Sequence, residues 1–236
     1  MRLVLLTISL LLNGCMTVEA PSNNIVESKP RDRSEARIEL GIGYLKQGNM
    51  IKARENFEIA LQHDPNYYRA QLSLAHYFEQ VGETRSAQSL YSTALKQHPD
   101  NGDVLNNYGT FLCRQEHYDQ ADDLFNQAIK QPSYYLIPMS YENAAICSLK
   151  SGNKQRAQEY FQRALAHQPE RPMSLLNLAK LEIENEEYTE ARLRLLRFHQ
   201  RYGVKKSSLN LLIKLEQQAG NKVLEDKYRR QLDRLD

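Results

Sequence analysis

The sequence lacks an excess of charge of one sign. Lys and Arg number 31 and Asp and Glu number 29, which gives a formal net charge of +2, and no long run of one sign occurs. A dedicated nucleic-acid-binding protein carries a basic stripe, so no nucleic-acid partner is expected. The chain also has no run of about eighteen or more apolar residues, and no membrane-spanning helix is therefore expected.

Motifs that carry chemistry are missing as well. The three cysteines and six histidines lack the spacing of a metal site, and there is neither a phosphate-binding glycine loop nor a nucleophile motif. His63, His98 and His167 each precede a proline by one or two residues, which is typical of helix C-termini. We therefore expect no metal, cofactor, catalytic residue or small-molecule substrate, and we predict that the protein is not an enzyme.

What the chain does have is a period of 34 residues. Ala53, Phe57 and Ala60 share one face of a predicted helix, and Pro65 follows where the unit ends. This pattern resembles the tetratricopeptide repeat, a helix–turn–helix unit that stacks into a solenoid. The later occurrences are Ala87, Tyr91, Ala94 and Pro99; Ala121, Phe125 and Ala128; Ala157, Phe161, Ala164 and Pro169; and, more faintly, Ala191, Leu195 and Phe198.

The resemblance implies an all-α fold, a right-handed superhelical solenoid of about six tetratricopeptide repeats in which helix A of each repeat lines the concave face. Such solenoids usually bind another chain, and too few residues remain outside the repeats for an enzyme domain. Repeat three is longer than the others, and Glu116 stands at its turn-glycine position. We place the solenoid at residues 34–236, with repeats at 34–67, 68–101, 102–137, 138–171, 172–205 and 206–236.

The first residues have the pattern of a bacterial lipoprotein signal. A basic start is followed by an apolar stretch at 3–12 and by Asn13-Gly14-Cys15, which resembles a lipoprotein box. This implies a signal peptide at residues 1–14, lipidation of Cys15 and, because Met16 follows, an anchor in the outer membrane facing the periplasm. Residues 15–33 are polar and are predicted to be a flexible tether. The alternatives are an ordinary signal peptide and a buried helix with an incidental cysteine.

The two remaining cysteines fall late in the A helices of consecutive repeats. Cys113 lies in repeat three and Cys147 in repeat four, and neighbouring A helices are adjacent in this fold. Because export leads to an oxidising compartment, we predict a Cys113–Cys147 disulfide. The alternative is two buried free thiols.

Apolar side chains occupy predicted groove positions of the first two repeats. Ile38, Ile42 and Leu45 in repeat one and Leu72 in repeat two, with His76, stand where helix A usually faces the concave surface. An exposed apolar strip marks a partner site, so these five residues are predicted to bind another protein. The alternative is that the tether or a neighbouring helix covers them.

Three consecutive repeats carry asparagine at the same groove position. Asn107, Asn143 and Asn177 would form a ladder of carboxamides, each able to donate to and accept from a partner backbone. We predict that this ladder holds an extended partner segment. The alternative is that each asparagine caps local backbone groups.

The central stretch resembles one family in particular. Residues 105–113, Leu-Asn-Asn-Tyr-Gly-Thr-Phe-Leu-Cys, and residues 122–125, Asp-Asp-Leu-Phe, together with the lipoprotein box and six repeats, are similar to the type IV pilus biogenesis and stability lipoproteins, the PilW/PilF family. The resemblance implies a pilotin that binds subunits of the outer-membrane secretin (PilQ-type) and promotes their localisation or multimer assembly. A scaffold for another cell-envelope machine would use the same anchor and repeats, and remains the alternative.

Overall fold

The computed structural model of the chain describes residues 28–235, and the regular structure within them is entirely α-helical. The predicted tetratricopeptide solenoid is confirmed. The predicted signal peptide, Cys15 and most of the predicted tether lie outside the described residues. The helices are α1 (Pro30–Lys46), α2 (Met50–His63), α3 (Tyr68–Gln80), α4 (Thr84–Gln97), α5 (Gly102–Arg114), α6 (Tyr118–Ile129), α7 (Ile137–Lys150), α8 (Lys154–His167), α9 (Pro172–Glu184), α10 (Tyr188–Tyr202), α11 (Lys206–Gln218) and α12 (Lys222–Asp233).

Each repeat consists of an odd-numbered helix A and an even-numbered helix B. The start of repeat one differs from the prediction, because α1 begins at Pro30 rather than at Ser34. Proline suits the first helical turn, where its fixed φ is helical and its missing N–H needs no acceptor. Asp32 complements the positive end of the helix dipole. The last residues of the predicted tether, 30–33, are therefore part of the solenoid.

Within a repeat, a small residue on helix A lets an aromatic ring of helix B lie against its backbone. In repeat one, the ring of Phe57 is buried beside Gly41, and a Cβ atom added to Gly41 would lie 2.5 Å from that ring. Gly109 faces Phe125 in repeat three in the same way. The periodic alanines of helix B, such as Ala53, are fully buried between the helices. The 34-residue pattern is thus the packing pattern of the helix pair.

The turn between helices A and B requires a residue whose backbone adopts the left-handed conformation, with positive φ. Gly152 fills this position in repeat four with φ +83°, whereas Glu116 and Glu186 adopt φ 65° in repeats three and five. Residues other than glycine rarely adopt this backbone conformation because their Cβ atom comes close to the following carbonyl oxygen. Glu116 therefore keeps the turn that the repeat needs, at a conformational cost.

The odd-numbered helices line the inner face of the solenoid. Contacts between neighbouring repeats join α1 to α3, α3 to α5, α5 to α7 and α9 to α11, and no pair of even-numbered helices packs as closely in the described chain. Helices that approach each other more closely lie on the concave side of a curved stack, so helix B of each repeat forms the outer face. Within residues 28–235, no helix combines the length and apolar composition needed to cross a bilayer.

Candidate functional site

The first helix has an exposed apolar face at the open end of the solenoid. Ala36 and Gly43 are not fully covered, and Leu40 is 49% exposed. In repeat two the equivalent positions are Leu74, which is 4% exposed, and the buried Ala70 and Tyr77, because they pack against the preceding repeat. Within residues 28–235 no repeat precedes repeat one, and the same face is open among them. A shallow hollow of about 580 Å³ follows it, lined by Ala36, Glu39, Leu40, Gly43, Tyr44 and Gln47.

This face differs from the apolar strip predicted for α1. Ile38 is only 1% exposed and belongs to a core cluster with Ala60, Tyr67 and Ala70. The prediction that Ile38 faces the groove is therefore wrong, because its side chain fills the space between repeats one and two.

The other members of the predicted strip are covered to different degrees. Ile42 and Leu45 are partly buried and pack against the core. Leu72 is 9% exposed and contributes only an edge to the groove, whereas His76 is exposed. Of these five residues, only His76 is exposed, and its ring lies beside Glu79 and Gln80 of the same helix. The sequence signal for the exposed apolar face is Leu40, an apolar residue at an inter-repeat position of the first repeat.

A polar groove lies on the concave face between α3, α5 and the connection that follows α6. Two adjoining hollows of about 440 and 380 Å³ share Tyr68, Asp103 and Tyr135. Tyr68 donates a hydrogen bond from its hydroxyl to Asp103 Oδ2 at 3.2 Å, and burial raises the pKa of this tyrosine. Leu72 and Asn107 line the second hollow. The predicted groove therefore exists here, but its walls are polar and aromatic rather than aliphatic.

The longer connection of repeat three is held by one buried tyrosine. The ring of Tyr134 fills the space beside Gly102, where an added Cβ atom would lie 2.3 Å from the ring. Its hydroxyl lies 3.0 Å from Ser140 Oγ, and Ser140 donates to Asn106 Oδ1 at 2.9 Å. Burial raises the pKa of Tyr134 to about 12. These contacts fix the connection, so the neighbouring Tyr135, which is 81% exposed, is presented beside the groove.

The three asparagines do not act alike. Asn107 Nδ2 donates to the carbonyl of Asp103 at 2.8 Å, and Asn177 Nδ2 donates to the carbonyl of Met173 at 2.9 Å. Asn143 Nδ2 instead donates to Asn106 Oδ1 at 3.0 Å, in the preceding repeat. Two of the three thus make the local backbone contact of the alternative, but each of the three carboxamides keeps its acceptor oxygen and a second N–H donor. The ladder therefore stays a prediction.

The predicted disulfide is present and lies in the wall of the inner face. Cys113 of α5 is bonded to Cys147 of α7, and their Cα atoms are 5.7 Å apart. Next to it, Arg114 forms a bidentate ion pair with Glu79 of repeat two, in which Arg114 Nη2 donates to Glu79 Oε2 at 2.8 Å. Burial alone would raise the pKa of Glu79, but hydrogen bonds from His76 and Arg114 outweigh it and lower that pKa. Repeats two, three and four are therefore joined by covalent and ionic links.

The described residues contain no group of three or more His, Cys, Asp or Glu side chains that could hold a metal ion. The arrangement offers an open apolar helix face at one end and a polar, aromatic groove beside it. Both surfaces are open to solvent in the part of the chain that the structure describes.

Comparison with known proteins agrees with this architecture. Tetratricopeptide repeat family models match residues 78–132 and 148–199. The chain is 34% identical over 230 residues to the type IV pilus assembly protein PilF of Pseudomonas aeruginosa, covering 95% of this chain and 89% of that protein. It is also 38% identical over 136 residues to an uncharacterised protein of Haemophilus influenzae, covering 58% of this chain and 73% of the other.

Two solved structures have the same fold over most of their length. Pseudomonas aeruginosa PilF superposes with a TM-score of 0.77 at 32% identity, covering 88% of this chain and 94% of PilF. PilW, described as a widely conserved type IV pilus biogenesis factor, superposes with a TM-score of 0.74 at 28% identity, covering 84% of this chain and 91% of PilW. The chain therefore belongs to the PilF/PilW family of type IV pilus tetratricopeptide repeat proteins.

Proposed function

We propose that this protein is an outer-membrane lipoprotein, anchored through Cys15, that binds secretin subunits and promotes their localisation or multimer assembly during type IV pilus biogenesis. The membership of the PilF/PilW family supports a role in pilus assembly. The secretin as partner follows from the family resemblance of the central repeat and the lipoprotein box.

The observation that carries the proposal is the open apolar face of α1. Leu40 is about half exposed although its equivalents Leu74, Leu178 and Leu212 are buried. An exposed apolar surface of this kind favours contact with another protein. A partner segment that covers Leu40 would take the place that a preceding repeat occupies elsewhere in the stack.

The position of this face suits a tethering mechanism. It lies on the helix that directly follows the predicted tether, so a partner bound there would be held close to the lipid. Several acyl chains give stable anchoring, whereas one chain alone gives marginal binding. Tethering raises the effective concentration of bound subunits at one membrane without any bond being made or broken.

The polar groove supplies a second set of contacts for the same partner. Tyr135 is exposed next to the buried Tyr134, and it lines the second hollow together with Asp103 and Asn107. An extended segment that leaves the α1 face would pass over α3 and reach this groove. A tyrosine adds a large contact area at low entropic cost because its side chain has only two χ angles.

The test is to compare secretin multimers and their co-purification with the outer membrane in strains that carry defined variants. Leu40→Gln should lower secretin recovery, whereas Ile51→Gln, which changes a 75% exposed isoleucine on α2, should not. Cys15→Ser should leave secretin binding intact but release the protein from the membrane. Normal secretin multimers and normal pili in a deletion strain would refute the proposal. Recovery of a different envelope protein in place of the secretin would support the alternative scaffold.

A further inference from the structure

The outer face of repeat five carries an apolar pair at two positions that are polar in the other five repeats. Leu193 and Leu196 on α10 are 64% and 44% exposed. Repeat equivalence places them two and five residues after Ala191, the periodic alanine of helix B. At these two positions the other repeats have Glu55 and Glu58, Ser89 and Ser92, Asp123 and Asn126, Glu159 and Gln162, and Lys227 and Arg230.

The fold of the repeat does not require leucine at these two positions. The same two positions are polar in five repeats that fold and stack in the same way, so the solenoid does not need an apolar residue there. Both leucines leave much of their apolar surface in contact with solvent, so burial within this chain accounts for only part of that surface. An external apolar environment would account for them.

The C-terminal part of the chain that carries this pair is basic. Residues 188–236 contain twelve Lys and Arg against six Asp and Glu, although the whole chain has a formal net charge of only +2. Arg197 follows the leucines on α10, and Lys227 and Arg230 hold the equivalent positions on α12. Among the described residues, these three side chains have no ion pair, while Glu225 and Asp226 of α12 are already paired with Arg229 and Lys222.

We infer that the outer face of α10 and α12 is a docking surface for an anionic phospholipid membrane. The positive charge complements anionic headgroups, to which each Lys or Arg near the surface adds attraction. Leu193 and Leu196 then enter the boundary between headgroups and acyl chains, as the apolar side of an interfacial helix does.

The shape of the surface favours a membrane over a protein partner. A partner helix binds in an apolar groove, whereas α10 and α12 are B helices on the outer, convex side of the stack, where leucine side chains protrude. A convex, basic surface with protruding leucines fits a deformable lipid layer. Together with the proposed lipid anchor at the opposite end, this contact would lay the solenoid along the membrane. The inference does not depend on the secretin being the partner.

The test uses the purified, unlipidated chain from Met16 onward, which contains all the described helices. Its partition is measured by flotation with phosphatidylcholine vesicles and with vesicles that contain about one third phosphatidylglycerol. We expect binding to the anionic vesicles only, and weaker binding as salt is raised. Binding to neither kind of vesicle, or equal binding to both, would overturn the inference.

Two variants locate the surface. The double variant Leu193→Ser with Leu196→Ser, which copies repeat two without changing charge, should lower the partition by about tenfold. The triple variant Arg197→Gln, Lys227→Gln and Arg230→Gln should lower it by at least as much. Unchanged partition in the leucine variant would also overturn the inference, once circular dichroism shows that its helices are intact.

The matched control is the triple variant Lys130→Gln, Lys150→Gln and Lys180→Gln. It removes the same number of exposed cations from other parts of the solenoid and should leave the partition close to that of the unmodified chain. If the leucine variant instead lowers secretin recovery while vesicle partition is unchanged, the occupant is a protein and the membrane inference is wrong. If vesicle partition falls while secretin recovery is unchanged, the membrane contact is separate from the proposed function.

Discussion

Cys113 and Cys147 join the inner helices of repeats three and four, with their Cα atoms 5.7 Å apart and a sequence separation of 34. Both side chains are buried, so the link lies inside the stack. A crosslink of this kind stabilises mainly by restricting the unfolded chain. It reinforces the junction at which the longer connection of repeat three interrupts the regular period.

Replacing both cysteines by alanine should therefore lower the free energy of unfolding by about 2–4 kcal/mol. Urea denaturation of the oxidised chain and of the double variant measures the difference. A reducing agent should lower the midpoint of the unmodified chain and have no effect on the variant. Equal midpoints for the oxidised chain and the double variant would contradict the stabilising role.

Replacing Gly41 or Gly43 of α1 by alanine should change the free energy of unfolding in opposite directions. A Cβ atom on Gly41 would lie 2.5 Å from the ring of Phe57, whereas nothing lies within 4 Å of one on Gly43. Gly41→Ala should destabilise by about 1–3 kcal/mol because it overpacks the helix pair. Gly43→Ala should stabilise by up to about 1 kcal/mol, the gain in helix propensity.

The experiment for these glycines is thermal unfolding of the two single variants side by side. Phe57→Leu should recover part of the loss in a Gly41→Ala background, because it removes the atoms that clash. A stable Gly41→Ala variant would show that helices α1 and α2 can separate without cost, against the close packing described above.

The repeat register was predictable from the sequence because packing inside each helix pair repeats every 34 residues. Ala53, Phe57 and the turn position of Glu116 all follow from that local rule. The pairing of Cys113 with Cys147 also followed, since it needs only the adjacency of neighbouring A helices.

What the sequence did not reveal depends on contacts that are not periodic. Ile38 is buried and Leu40 is exposed because, within residues 28–235, a repeat follows repeat one and none precedes it. Tyr134 is buried and Tyr135 exposed because Gly102 leaves room for one ring. The different partners of the three asparagines were not foreseeable for a similar reason, since Asn107 and Asn177 donate within their own helices whereas Asn143 donates to the preceding repeat.

The left-handed turn at Glu116 predicts a stabilising substitution. Glu116 has φ 65° and an exposed side chain, and an L-residue in this conformation costs about 1–2 kcal/mol. Glu116→Gly should raise the free energy of unfolding by up to about 1 kcal/mol, less than the full strain because glycine is more flexible when unfolded. Glu186→Gly should behave alike, and Gly152→Glu should do the reverse. Thermal melts of the three variants check the signs.

Alkaline pH should destabilise the longer connection of repeat three. Burial raises the pKa of Tyr134 to about 12, above the value of about 10 for an unfolded chain. The folded state therefore keeps a proton that the unfolded state has lost, and stability falls as pH rises from about 10 through 12. Tyr134→Phe should reduce this slope, whereas Tyr135→Phe should not. Urea midpoints across that range measure the slopes, and equal slopes in both variants would contradict the assignment.

A charge pair joins α10 of repeat five to α11 of repeat six. Glu216 is fully buried and accepts from Arg192 Nε at 2.7 Å and from Nη2 at 2.8 Å. This hydrogen bonding to Glu216 is also the first cause of the raised pKa of Arg192. Leu112 holds the equivalent position in repeat three, so the fold accepts an apolar side chain there.

Removing only the carboxylate leaves Arg192 without its partner, and Glu216→Leu should destabilise by about 3 kcal/mol. The double variant Glu216→Leu with Arg192→Gln combines the residues found at the equivalent positions, Leu112 in repeat three and Gln88 in repeat two. It should recover most of that loss because no charge is left buried. A double-mutant cycle of urea denaturation measures the coupling. If the double variant is no more stable than the single one, Glu216 contributes through packing rather than through its charge.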